Sequence, residues 1–274
     1  METLNQFKTF TADLSATDLM PVLFMGHGSP MNGIELNEFS NTWIKMAQHI
    51  PIPQAVLVVS AHWFTNGTRI TAMDFPQTIH DFGGFPQALF DVQYPAPGNP
   101  ALAAETAKLV KSTSIVLDHD WGLDHGAWSV IKHMYPAANI PVLQLSIDYT
   151  KDARYHYDLA KELAALRKKG VLILGSGNIV HNLRMVSWDM IDGGGYDWAL
   201  EIQDTFKNLI LNKDHQPLIQ YESLGSAAKL AIPTPEHYLP LMYTLGLQNS
   251  AEEAVLYNDK AVGGSLTMTS IQVG

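Results

Sequence analysis

Cysteine is absent from the 274-residue chain. That lack excludes disulfides, thiolate metal sites, cysteine-ligated iron–sulfur clusters and a cysteine nucleophile together, so any metal must sit on nitrogen and oxygen. Basic residues are scarce as well: 17 Lys and Arg stand against 27 Asp and Glu, for a net charge of −10, and the one basic cluster is Arg167, Lys168 and Lys169. With no basic stripe to follow a phosphate backbone, nucleic acid is not an expected partner. No apolar run approaches the roughly 18 residues of a membrane span. The first twenty residues, METLNQFKTFTADLSATDLM, show neither a basic start nor an apolar signal core. A cytoplasmic protein that engages no membrane is therefore expected. Repeats, low-complexity tracts and linker-like stretches are lacking too, so residues 1–274 are read as a single domain. The motifs G-x-S-x-G and H-E-x-x-H do not occur, and GSGN at 175–178 lacks the further glycine of a dinucleotide fingerprint.

What is present points to an α/β protein. Short runs of aliphatic and β-branched residues recur at 21–27, 55–63, 69–73, 140–147, 170–177 and 265–272. Several are apolar throughout rather than alternating, as strands covered on both faces must be. Helical patterns lie between them, at 35–49, 100–112, 125–135, 195–211 and 236–246. The clearest covers 151–169, where Tyr155, Leu159, Leu163 and Leu166 form one stripe and Gly170 closes the run. Such alternation predicts a central, mostly parallel or mixed sheet flanked by helices, with the binding crevice beyond the carboxyl ends of the strands.

Three of the eleven histidines fall where predicted strands finish: His27 in LFMGHGSP, His62 in VVSAHWF and His181 in LGSGNIVHN. Each has small residues beside it, which let the backbone turn and leave room for an ion or ligand. One such histidine is an ordinary structural residue; three at one edge of one sheet suggest a site. His237 belongs to PTPEHYLPL, where Thr234 reads as a helix cap and Pro235 as its first turn. Glu236 and His237, about 100° apart on a helix, cannot easily both bind one ion. His125 follows Asp124, a plausible cap.

Taken together, the blocks GHGSPM (26–31), SAHW (60–63), TIHDFGGFPQALFDVQYPAPG (78–98), DHGAW (124–128), GSGNIVHNL (175–183) and PTPEHYLPL (233–241) resemble the class III extradiol ring-cleaving dioxygenases, in their DOPA dioxygenase-like branch. The blocks run in order over nearly the whole chain. The resemblance implies one divalent metal, Zn2+ or Fe2+, held at the open edge of the fold by His27 and His62, with His237 or Glu236 as the third ligand. It implies an acid/base role for His181, which could also approach the metal, and places His125 as a second active-site histidine beside substrate or oxygen.

Ring cleavage next to a diol makes such a set intelligible. A catechol binding through both oxygens, with O2 beside it, leaves room for about three protein ligands. Histidine supplies a proton acceptor with a pKa near the working pH. The 78–98 segment, with Phe82, Phe85, Phe90 and Tyr94, either lines the ring pocket or anchors a long loop in the core. His80 and Asp81 would orient one another or touch substrate, and Arg184 is a candidate carboxylate partner. The competing readings are a zinc hydrolase using the same histidines and a non-catalytic metal-binding member of the same fold.

Overall fold

A computed structural model describes residues 14–274. Residues 1–13, the greater part of the segment read for a signal core, lie outside it. The strands are β1 (Val22–Gly26), β2 (Ala55–Thr65), β3 (Arg69–Thr71), β4 (Val116–Asp118), β5 (Val142–Asp148), β6 (Val171–Gly177), β7 (Ala254–Tyr257), β8 (Ala261–Val262), β9 (Leu266–Thr267) and β10 (Ser270–Val273). The helices of nine or more residues are α1 (Glu38–His49), α2 (Pro100–Leu109), α3 (His125–Met134), α4 (Ala153–Glu162), α5 (Asp197–Leu211) and α6 (Leu239–Leu247).

Eight strands form one sheet in the order β4-β3-β5-β2-β6-β1-β10-β7. Its centre, β5-β2-β6-β1, is parallel, while β10 pairs antiparallel with β1 and β3 antiparallel with β5. The mixed sheet agrees with the architecture expected from the alternation of strand and helix. Central strands β1, β2 and β6 carry long apolar runs because both faces are covered, while β5 is interrupted by the buried Gln144 and Ser146. Along β1, Val22 and Phe24 enter one core while Leu23 and Met25 enter the other, and β2 and β6 alternate in the same way. Helices α4, α5 and α6 cover the first face, and α1 and α3 the second. No helix among the described residues is long and apolar enough to cross a membrane.

Several local expectations differ from the structure. The predicted 151–169 helix breaks at Leu163, leaving α4 and a short turn at Ala164–Arg167. Its charged end turns inward there: Arg167 is buried and pairs with Glu252. The predicted strand over 265–272 divides, because Leu266–Thr267 pairs with β8 and Ser270–Val273 joins the main sheet. The helix read from 236 begins instead at Leu239, and Thr234 does not cap it; its hydroxyl donates to Glu236 Oε1 at 2.7 Å. Residues 236–238 form a turn in which the Pro235 carbonyl accepts from Tyr238 N and Leu239 N, both at 2.9 Å.

Candidate active site

The site assembles where β1, β2 and β6 end. His27 follows β1 directly. His62 lies inside β2, which continues to Thr65, rather than at the strand's end. Between Val59 and Phe64 the pairing of β2 with β5 slips, and this irregularity presents His62 to the crevice. His237 arrives on the turns before α6, and His125 opens α3, whose cap is Asp124: the Asp124 side chain accepts from Ala127 N. Two glycines permit the close approach. A Cβ on Gly126 would stand 2.8 Å from His62 Cδ2 and 2.5 Å from Ser60 Oγ, and one on Gly177 would stand 2.1 Å from the His237 carbonyl oxygen.

Hydrogen bonding fixes which nitrogens face the crevice. Ser176 Oγ donates to the Gly126 carbonyl at 2.5 Å, so toward His27 Nδ1, 3.0 Å away, it acts as acceptor. His27 therefore carries its proton on Nδ1 and leaves Nε2 bare. His62 Nδ1 lies 3.2 Å from Asp81 Oδ2, a charge contact that draws the proton to Nδ1 and favours a bare Nε2. These two bare nitrogens are 3.2 Å apart. In that tautomer neither donates to the other, and a cation between them would satisfy both lone pairs. Metal–nitrogen bonds of about 2.0–2.1 Å set at octahedral or tetrahedral angles require nitrogen separations of about 2.8–3.4 Å. The donor pair fits that requirement. His237 joins it, with ligand atoms of His27, His62 and His237 all within 4.8 Å of one another. His237 Nδ1 is buried and has no hydrogen-bond partner.

His181, Glu236 and His237 also bring ligand atoms together. The rings of His181 and His237, however, stack with centroids 3.5 Å apart and planes inclined by only 8°. An imidazole binds metal in its ring plane, so an ion in the plane of one stacked ring lies off the plane of the other. His181 and His237 thus do not suit the same ion in this arrangement.

Burial dominates the electrostatics. It holds His27 and His237 well below the ordinary histidine range, with neighbouring imidazoles adding to the effect. Burial and then His125 press His62 down to about 3 against the pull of Asp81, and burial lowers His181 to about 4. Neutral imidazoles at neutral pH are the form that binds a metal. Burial raises Asp81, but its hydrogen bonds and charge contacts with His125 and His62 outweigh that and hold the carboxylate below its usual value.

A family description of the catalytic LigB subunit of aromatic ring-opening dioxygenase matches residues 22–268. The chain belongs to the LigB family. A curated relative from Escherichia coli K12, named 4,5-DOPA dioxygenase extradiol, is 49% identical over 259 residues, 93% of this chain and 95% of that one. A Beta vulgaris protein of the same name is 34% identical over 93% of this chain and 97% of its own. A crystal structure of an uncharacterized E. coli K12 protein superposes with a TM-score of 0.80 at 42% identity, covering 93% of this chain and all of that one. The class III extradiol assignment read from the six blocks stands.

Within this LigB-family site, His27, His62, His125, His181 and His237 come together as the sequence suggested. Phe82 reaches it, edge-on to His125 at 5.5 Å. His80 instead meets the Val92 carbonyl through Nε2 at 3.0 Å and packs against Phe82, Phe90 and Trp128, so it braces the 78–98 segment. Tyr94 is a core anchor, buried and donating to the Tyr135 carbonyl. Arg184 and Glu236 line a pocket of about 210 Å3 beside His181. Asp81 is the residue that sequence reasoning undervalued. Its partner is His125 rather than His80: Oδ2 lies 3.0 Å from His125 Nδ1, and Oδ1 accepts from His125 N at 2.9 Å. An aspartate inside a motif rich in aromatics was the available signal.

Proposed function

We propose that this protein is a single-domain, metal-dependent extradiol dioxygenase that opens the ring of a DOPA-like catechol with O2. The observation that carries the reading is the facing pair of bare nitrogens on His27 and His62, with His237 beside them. His27, His62 and His237 would hold one divalent ion, ferrous iron in the ring-cleaving form, with zinc fitting the same donors. When bound, such an ion holds the catechol diol next to O2 and relays electrons between them. Three ligands leave positions for both molecules, and because both oxygen atoms of O2 enter the product, no external reductant is needed.

The chain's own residues manage protons and order. His181, neutral in its buried setting, accepts a catechol proton; the imidazolium so formed is poorly solvated, eased only by Glu236, and returns the proton readily as the ring opens. Asp81 accepts the Nδ1 proton of His125 and lies against Nδ1 of His62, so a single carboxylate orients a ligand and a neighbouring histidine. The bond from His125 Nδ1 to Asp81 fixes the ring of His125 beside the metal-binding pair and leaves its Nε2 as an acceptor. Phe82 supplies an apolar wall. The relatives named for 4,5-DOPA support a catechol bearing an amino-acid side chain as substrate. A cytoplasmic location, read from the sequence, completes the proposal and is open to cell fractionation.

The test is to load metal-free protein anaerobically with ferrous iron or with zinc, add DOPA and then air, and follow oxygen uptake and the yellow ring-opened product. Oxygen uptake with iron supports the reading. Its absence on DOPA and on simple catechols would overturn it and move a zinc hydrolase or a structural metal to the front.

A further inference from the structure

The pocket beside His181 has a lining that, Glu236 apart, the ring chemistry does not use. Arg184 lines it with no ion pair or side-chain hydrogen bond among the described residues. Glu236 lines it too, its carboxylate held at one oxygen by the Thr234 hydroxyl at 2.7 Å. Between these in character is Asn182, 5% exposed. Its Nδ2 donates to the Leu230 carbonyl at 2.8 Å, and its backbone is clamped, N donating to the Ser265 carbonyl at 3.1 Å and O accepting from Ser265 Oγ at 2.8 Å. Yet its Oδ1 is buried without any donor.

A buried acceptor left unsatisfied is costly, and a fixed one next to a pocket implies a donor that arrives with a ligand. The pocket thus offers a free guanidinium and a carboxylate within about 210 Å3, with the Asn182 amide oxygen buried without a donor in its wall. Guanidinium is the preferred partner of a carboxylate, while Glu236 and the Asn182 oxygen together are acceptors for an ammonium. We propose that this pocket receives an α-amino-acid head group, Arg184 taking its carboxylate and Glu236 with Asn182 its ammonium. The inference rests on the reading of the adjoining histidines as a catechol site, since His181 both lines the pocket and stacks on His237. A catechol with the amino-acid group on its side chain would bridge the two. Arg184 and Asn182 then determine specificity and take no part in bond breaking, whereas Glu236 also eases the charge on His181.

Four catechols separate the contributions: L-DOPA carries both charges, dopamine only the ammonium, 3-(3,4-dihydroxyphenyl)propionate only the carboxylate, and 4-methylcatechol neither. Zinc-loaded protein is titrated anaerobically with each by calorimetry, and the iron-loaded enzyme is assayed on all four. L-DOPA should bind tightest, with the preference carried in KM rather than kcat. Arg184→Met should lower the preference for the two carboxylate-bearing catechols over the other two by about 10- to 100-fold, with partial recovery in Arg184→Lys. Glu236→Gln should lower the preference for L-DOPA and dopamine. If all four bind the wild type within about threefold, or Arg184→Met weakens all four equally, the head-group pocket is wrong while ring cleavage stands. If binding discriminates as stated but no catechol is cleaved with iron, the pocket stands and the dioxygenase reading falls.

Discussion

The imidazoles of His181 and His237 lie flat against each other, centroids 3.5 Å apart and planes within 8°. Two histidines of one cluster are thereby given different work, because one ion cannot occupy both ring planes. His237→Ala should abolish stoichiometric metal binding, whereas His181→Ala should keep the metal and lose about 100- to 10,000-fold in kcat, the usual share of a general acid–base group. Elemental analysis alongside turnover checks this. Metal loss in His181→Ala, with metal retained in His237→Ala, would reverse the assignment.

Asp81 Oδ2 accepts from His125 Nδ1 at 3.0 Å and lies 3.2 Å from His62 Nδ1. In Asp81→Asn at most one amide oxygen remains to accept, and an N–H faces a protonated nitrogen. Metal affinity should fall by about 10- to 100-fold, as for other partners that orient a metal-binding histidine. Competition with a chromophoric chelator reads this independently of activity, and an unchanged affinity would show that His62 needs no such orientation.

Gly126 admits His62 to the crevice. Gly126→Ala would put a methyl group 2.8 Å from His62 Cδ2 and 2.5 Å from Ser60 Oγ. The forced shift should cost about 1–3 kcal/mol of stability, as overpacking does. Metal occupancy should fall with it, measured by denaturant titration and metal content on the same sample.

His156 sets an acid limit away from the site. It is fully buried, with Nδ1 3.0 Å from the Tyr243 hydroxyl and Nε2 3.2 Å from the Asp148 carbonyl, and burial lowers its pKa to about 4. The unfolded chain, with an ordinary value near 6.5, binds this proton first. Stability is therefore whole above pH 6.5 and declines as pH falls toward 4, by about 3 kcal/mol from this group. Urea midpoints of metal-free protein at pH 7 and pH 4.5 should show a smaller difference in His156→Gln than in the wild type. An identical difference would assign the loss to other groups.

Much was legible before any coordinates. An absence of cysteine fixed the donor chemistry, aliphatic-rich runs at 21–27, 55–63, 140–147 and 170–177 marked the parallel centre of the sheet, and histidines near the ends of three of them marked its working edge. These signals are local: burial on two faces demands apolar residues at every position of a strand, and the chain direction puts their ends together. Boundaries depending on distant partners were not legible. The 151–169 pattern could not show that Arg167 would turn inward to Glu252, nor could PTPEHYLPL show that Thr234 would serve Glu236 instead of a helix.

The finer content of the site was decided by tertiary structure alone. Ser176 and Asp81, 149 and 19 positions from the histidines they orient at 27 and 62, choose which nitrogens are bare, and only folding brings them within hydrogen-bond reach. The same holds for the pocket beside His181, where residues 182–184 meet 233–236. Residue identity supplied the chemical groups; tautomer, ring plane and the pairing of opposite charges follow from contacts between segments far apart in sequence, which no local pattern encodes.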